Sequence, residues 1–139
     1  MKKYLVVLVA MLLVVTGCGG KKLTCTMEED GQTAKTVVEF DKNDKAKKVN
    51  MTMTMPFEEE LSKEEMEYME SYMGLMCAAF DYEGVTCKTD MSSKKVDVVI
   101  DMDFGKMSKE TLAELDFDAE ATSYDAMKKS LEESGYTCK

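Results

Sequence analysis

The chain has 139 residues, with 27 Asp and Glu against 18 basic residues, a formal net charge of −9, and no His or Trp. Every basic residue is a lysine. So acidic a surface repels phosphates and anionic headgroups, which argues against nucleic-acid binding, and the lack of His removes Ser-His and Cys-His catalysis.

The chain opens MKKYLVVLVAMLLVVTGCGG. Lys2 and Lys3 form a positive start, and Tyr4 to Val15 is an apolar run of 12 residues. A membrane-spanning helix takes about 20 residues, so the run fits the apolar region of a signal peptide. Val15, Thr16, Gly17 and Cys18 then resemble the lipobox of bacterial lipoproteins. The resemblance implies a diacylglycerol on the Cys18 sulfur and cleavage between Gly17 and Cys18. An uncleaved membrane anchor is the alternative. Two acyl chains hold a protein stably on a bilayer where one is marginal. Residues 1–17 are thus read as the signal peptide, 18–22 as a lipidated tether and 23–139 as a single domain. Loss of Lys2 and Lys3 takes the net charge from −9 to −11. The reading implies a monomer on the extracytoplasmic face of the cell membrane.

Residues 23–29 (LTCTMEE), 33–40 (TAKTVVEF) and 46–55 (AKKVNMTMTM) read as strands, with DGQ and DKNDK as turns between them. By the period of two, Leu23, Cys25 and Met27 share a face, as do Ala34, Thr36, Val38 and Phe40, and as do Val49, Met51, Met53 and Met55. Pro56 suits a strand end, since it cannot donate to a ladder. Ser62 and Glu65 spell a capping box, followed by a helix over 63–80. On it Met66, Met69, Met73, Met76, Cys77 and Phe80 fall in one arc, widened by Tyr68, Tyr72, Leu75 and Ala79. An apolar face that broad is expected to lie on a sheet.

Residues 85–91 (VTCKTDM) and 94–104 (KKVDVVIDMDF) read as a hairpin across SSK. Val96, Val98, Ile100, Met102 and Phe104 face one way, and Asp97, Asp101 and Asp103 the other. Short helices follow at 109–115, capped by Ser108, and 124–134, capped by Ser123, with FDAEATS as a loop between them. Gly135 ends the last helix in a left-handed cap, after which Thr137 and Cys138 return to the sheet. The fold class is α+β: an antiparallel sheet of about five strands in the order β-β-β-α-β-β-α-α, with one long amphipathic helix on one face.

With Cys18 taken by lipid, Cys25, Cys77, Cys87 and Cys138 allow three pairings. Export favours disulfides. Cys77–Cys87 joins a helix end to the next strand, and Cys25–Cys138 ties the first strand to the chain's end. Reduced thiols are the alternative, and a Cys₄ zinc site lacks its C-x₂-C pairs.

VNMTMTMPF, residues 49–57, places a thioether at every second position. Core packing explains it, because unbranched, polarizable Met fills irregular gaps. Soft sulfur also selects copper(I), so Met51, Met53 and Met55 are a second candidate. DMDFGK lacks the acidic and Gly spacing of a calcium loop, and Asp101 and Asp103 suit the wet face of an antiparallel sheet. No cofactor or catalytic residue is indicated: there is no C-x-x-C and no Gly-rich phosphate loop.

CGG at the lipobox, DKNDK, VDVVIDMDF entering SKETLAEL, and the terminal MKKSLEESGYTCK together resemble the YehR-like family of small bacterial lipoproteins, whose function is unknown. The resemblance implies this fold and a lipid on Cys18, and no catalytic residue. The four later cysteines depart from it. The expected function is a membrane-anchored envelope lipoprotein with a non-enzymatic binding or structural role and an unidentified envelope partner. The alternative is metal handling, with copper(I) on methionines or calcium on acids.

Overall fold

The computed structural model describes residues 20–115 and 123–139. The expected lipidation at Cys18, the expected cleavage after Gly17 and the loop expected over 117–122 fall outside the described residues. The fold is α+β. Its sheet comprises β1 (Lys22–Glu29), β2 (Gln32–Phe40), β3 (Ala46–Pro56), β4 (Val85–Met91), β5 (Lys95–Asp103) and β6 (Thr137–Cys138). The spatial order is β4-β5-β3-β2-β1-β6, every pairing antiparallel. Among the described residues three helices accompany it: α1 (Lys63–Ala78), α2 (Lys109–Glu114) and α3 (Tyr124–Glu133). The sheet has six strands where about five were expected. The sixth is only Thr137 and Cys138, the two residues expected to return to the sheet, paired with Thr26 and Cys25.

Local chemistry sets the turns. Asp30 and Gly31 take φ of 49° and 78°, the paired positive values of a tight hairpin whose twist matches its strands. In DKNDK the Asp41 Oδ1 accepts from the Asn43 and Lys45 N–H groups at 2.8 and 3.0 Å. At α1 the Ser62 Oγ accepts from the Glu65 N–H while the Glu65 carboxylate accepts from the Ser62 N–H at 2.8 Å. The Ser62 hydroxyl, and then its N–H, hold the Glu65 carboxyl below its usual range. At α3 the Ser123 Oγ accepts from the Ala126 N–H at 3.3 Å. Ser123→Ala is expected to cost about 1 kcal/mol, read as a lower midpoint in urea unfolding with an unchanged slope.

All three helices accompany one sheet face. Two apolar clusters fill it. Leu23, Cys25, Val38, Phe40 and Val49 form one, closed by Tyr124, Met127 and Leu131 of α3. Met73, Val85, Val96, Val98, Ile100 and Met107 form the other, under α1 and α2. Met51, Met102 and Phe104 pack against both. The strands, helices and both disulfides described here lie within residues 22–138.

The other face is wet and polar. One row across it reads Lys22, Glu39, Lys48, Asp103, a cross-strand sequence of alternating charge. Another places Asn50 against Asp101, where the amide donates to the carboxylate at 2.6 Å. Asp97 accepts from the Lys95 ammonium at 2.8 Å and from the Thr54 hydroxyl at 2.6 Å. Those bonds, the lysine's first, hold its carboxyl below the ordinary range and raise Lys95. Of the acids read from VDVVIDMDF, Asp97 is thus paired with a lysine and Asp101 with an amide.

A candidate ligand cleft beneath the long helix

Helix α1 packs chiefly on β4. It is fixed at both ends. The Leu61 N–H donates to the Ser93 carbonyl at 2.8 Å before its first turn, and Cys77 in its last turn is bonded to Cys87 of β4. Between those ties a straight helix spans a twisted sheet, which it touches over a limited length. A cleft of about 380 Å³ lies in the gap. That is within the usual range of small-ligand sites.

Its floor is β3 and β5, with Met53, Met55, Val96, Val98 and Ile100. In the register Met53 stands opposite Val98 and Met55 opposite Val96. Its roof is α1, with Met69, Met73 and Met76, and Tyr72 at the edge; Phe57 and Phe80 stand where the chain enters and leaves the helix. Five of the chain's 14 methionines therefore border one space. No carboxylate or lysine lines it. The arrangement can desolvate an apolar group and adapt to its shape, because Met side chains repack readily. It offers no acid, base or anion clamp.

Two expectations for α1 are corrected here. The wide apolar arc was expected to lie on the sheet; instead it is divided. Met73 is 3 % exposed, whereas Tyr68 and Leu75 are 75 % and 74 % exposed, and Tyr72 and Met76 are 52 % and 42 % exposed. A helix reaches a flat partner along a stripe about 100° wide, and Tyr68 and Leu75 lie beyond it. Nor are the thioethers gathered in one dry core. Met73 is buried, Met51, Met53, Met55 and Met69 are half-buried, and Met76 is exposed. The cleft takes the space that tight packing would have filled. Periodicity counts apolar residues and their angles, and has no means of registering the distance between helix and sheet.

The candidate metal residues separate. Met53 and Met55 line the cleft, and Met51 lies outside its lining. Among the described residues no three His, Cys, Asp or Glu side chains converge as a cation site. Asp101 and Asp103 border a concavity of about 480 Å³ away from the cleft, with Glu39, Lys48 and Asn50. Its Glu39 and Asp103 are paired with Lys22 and Lys106 at 3.5 and 3.9 Å.

Both cysteine pairs stand at disulfide distance, with Cα atoms 4.0 Å apart for Cys25–Cys138 and 5.2 Å for Cys77–Cys87. Cys77 and Cys87 also line the cleft. Cys77→Ser with Cys87→Ser is expected to leave the sheet intact while freeing the end of α1. In hydrogen exchange the α1 amides would lose protection about tenfold or more, and those of β2 and β3 would not change.

The start of the described chain and the cleft stand apart. The chain enters the sheet beside Phe40, whose N–H donates to the Lys21 carbonyl at 2.9 Å. A Cβ on Gly20 would collide with the Phe40 carbonyl, so the backbone at Gly20 runs hard against β2. Phe40 pairs with Ala46 at the start of β3, and the cleft methionines lie toward its far end. At about 3.3 Å per residue the separation along β3 is roughly 25 Å.

No protein-family model matches the chain, and no curated protein does. Among solved structures it is similar to the NMR structure of the E. coli YehR protein, with a TM-score of 0.63 and 13 % identity over 88 % of this chain and 93 % of that one. The likeness shows a YehR-like fold.

Proposed function

We propose that the chain is a lipid-anchored envelope lipoprotein, held through Cys18 on the extracytoplasmic side of the membrane, that binds an apolar ligand without chemistry. The observation that carries the binding role is the Met-lined cleft of about 380 Å³ beneath α1. Supporting the address are the leader, the lipobox and the paired later cysteines, since disulfides persist outside the cytosol. The domain's placement fits it too: the tether leaves at the Phe40 end, and the cleft is presented roughly 25 Å along β3 from it. We assign a monomeric, non-enzymatic role and no cofactor.

The anchor is tested by intact mass of the native protein, which reads the diacylglycerol on Cys18 directly. An unmodified thiol at Cys18 would contradict it. The cleft is tested with residues 18–139 carrying Cys18→Ser and the uncharged dye Nile red. Saturable binding at one site with a blue-shifted emission is expected; no saturable binding would contradict it.

A second reading, copper(I) handling, draws on the same cleft, where Met53, Met55, Met69, Met73 and Met76 supply soft sulfur. Anaerobic titration with copper(I) decides it. Tight binding that resists displacement by Nile red would favour the metal, and the absence of uptake would remove it.

A further inference from the structure

The segment that roofs and borders the cleft carries the chain's most one-sided charge. Residues 57–83 hold nine Asp and Glu against one lysine, Lys63. That lysine pairs with Glu67 at 4.0 Å, and Lys94 pairs with Glu60 at 3.2 Å. Glu65 is committed to the cap of α1. Glu58, Glu59, Glu64 and Asp81 are exposed and have no ion pair among the described residues. Glu58 and Glu59 directly follow Phe57, and Asp81 directly follows Phe80, both of them cleft residues. Glu64 stands one turn before Tyr68, at the head of the exposed apolar stripe that runs through Tyr72 and Leu75.

An apolar slot continuous with a tyrosine-bearing stripe and edged by unpaired carboxylates selects by charge as well as by hydrophobicity. An anionic lipid headgroup would meet a segment of nine acids and one lysine. A second copy of this chain would bring acid against acid. A neutral lipid would leave the carboxylates without a role. We infer that the occupant is a cationic amphipathic peptide. Its apolar side chains enter the cleft and lie along Tyr68, Tyr72 and Leu75, and its lysine or arginine side chains meet Glu58, Glu59, Glu64 and Asp81. Tyrosine gives large contact area at low entropic cost. Methionine surfaces adapt to varied side chains, so the site reads charge and amphipathicity more than sequence. This rests on the cleft being a ligand site.

The test uses residues 18–139 with Cys18→Ser, Nile red, a designed amphipathic helix of leucine and lysine, and its leucine–glutamate counterpart. The lysine peptide is expected to displace the dye, with an affinity that falls about tenfold between about 50 and about 500 mM NaCl. The glutamate peptide is expected not to compete. Glu58→Lys with Glu59→Lys and Asp81→Lys, all at exposed positions, is expected to weaken the lysine peptide about 30-fold and leave dye binding unchanged. Dye binding with no competition by the lysine peptide would overturn the charge selection alone. So would equal affinity in the triple variant, or competition by the glutamate peptide. Loss of dye binding in the unsubstituted chain would overturn the ligand cleft itself.

Discussion

Replacing Cys25 and Cys138 together by alanine is expected to destabilise the domain by about 4 kcal/mol. The bridge spans a sequence separation of 113 residues. In the chain-entropy picture, closing a loop of about 100 residues restricts the unfolded state by about 4.7 kcal/mol. Cys25 is also fully buried in the cluster with Leu23 and Val38, so the shorter side chain leaves space there as well. Typical domains hold only about 5–15 kcal/mol. The variant should therefore unfold at far lower urea than the parent. Its far end should fail first, because β6 is two residues long and its ladder pairs only Cys25 with Cys138 and Thr26 with Thr137. The Cys77–Cys87 bridge encloses a separation of 10 and is worth less than the roughly 3 kcal/mol of a 15-residue loop. Equal losses from the two pairs in urea titrations would show that burial at Cys25, or residual unfolded structure, outweighs loop length.

Met53→Trp is expected to abolish most ligand uptake while barely touching stability. Inserting a larger side chain into a packed core ordinarily costs about 1–3 kcal/mol. Met53 is half-buried and borders a cleft of about 380 Å³, so the indole has space to enter without displacing the strands. The melting temperature should stay within about 4 °C of the parent, the shift that about 1 kcal/mol would produce in a domain of this size. Nile red affinity should fall at least about 30-fold. The chain has no other tryptophan, so the new indole reports its own surroundings. A blue emission that does not respond to the dye fits a filled cleft. A clear loss of stability would mean that the space beneath α1 is smaller than the structure gives, and retained dye binding would place the ligand elsewhere.

Much of the architecture is legible because each strand obeys one rule. Met51 opposes Ile100 and Met53 opposes Val98, so the alternation read separately in 49–55 and 96–104 meets on one face. Ser62, Ser108 and Ser123 cap where their sequences place them, each accepting from the backbone three residues on. Gly135 closes α3 with φ of 94°. These are local devices, complete within a few residues. The cleft is different. It depends on how far α1 stands from β3 and β5, which is set by the Leu61–Ser93 hydrogen bond at one end of the helix and the Cys77–Cys87 bridge at the other. Tyr68 and Leu75 look like core residues by type, and only the helix's stand-off and the lack of a covering element among the described residues reveal them as exposed. The acids at 58–70 are visible as composition from the outset; their meaning appears only when the apolar slot beside them is seen.

The most direct test of the ligand cleft is methyl NMR of the domain with ε-¹³C-labelled methionine, titrated with Nile red. The account predicts that the methyl signals of Met53, Met55, Met69, Met73 and Met76 move together and saturate at one equivalent. Met27 and Met127, which lie outside the cleft lining, should stay in place. Saturation with those five signals unmoved, or with Met27 and Met127 moving instead, would contradict it.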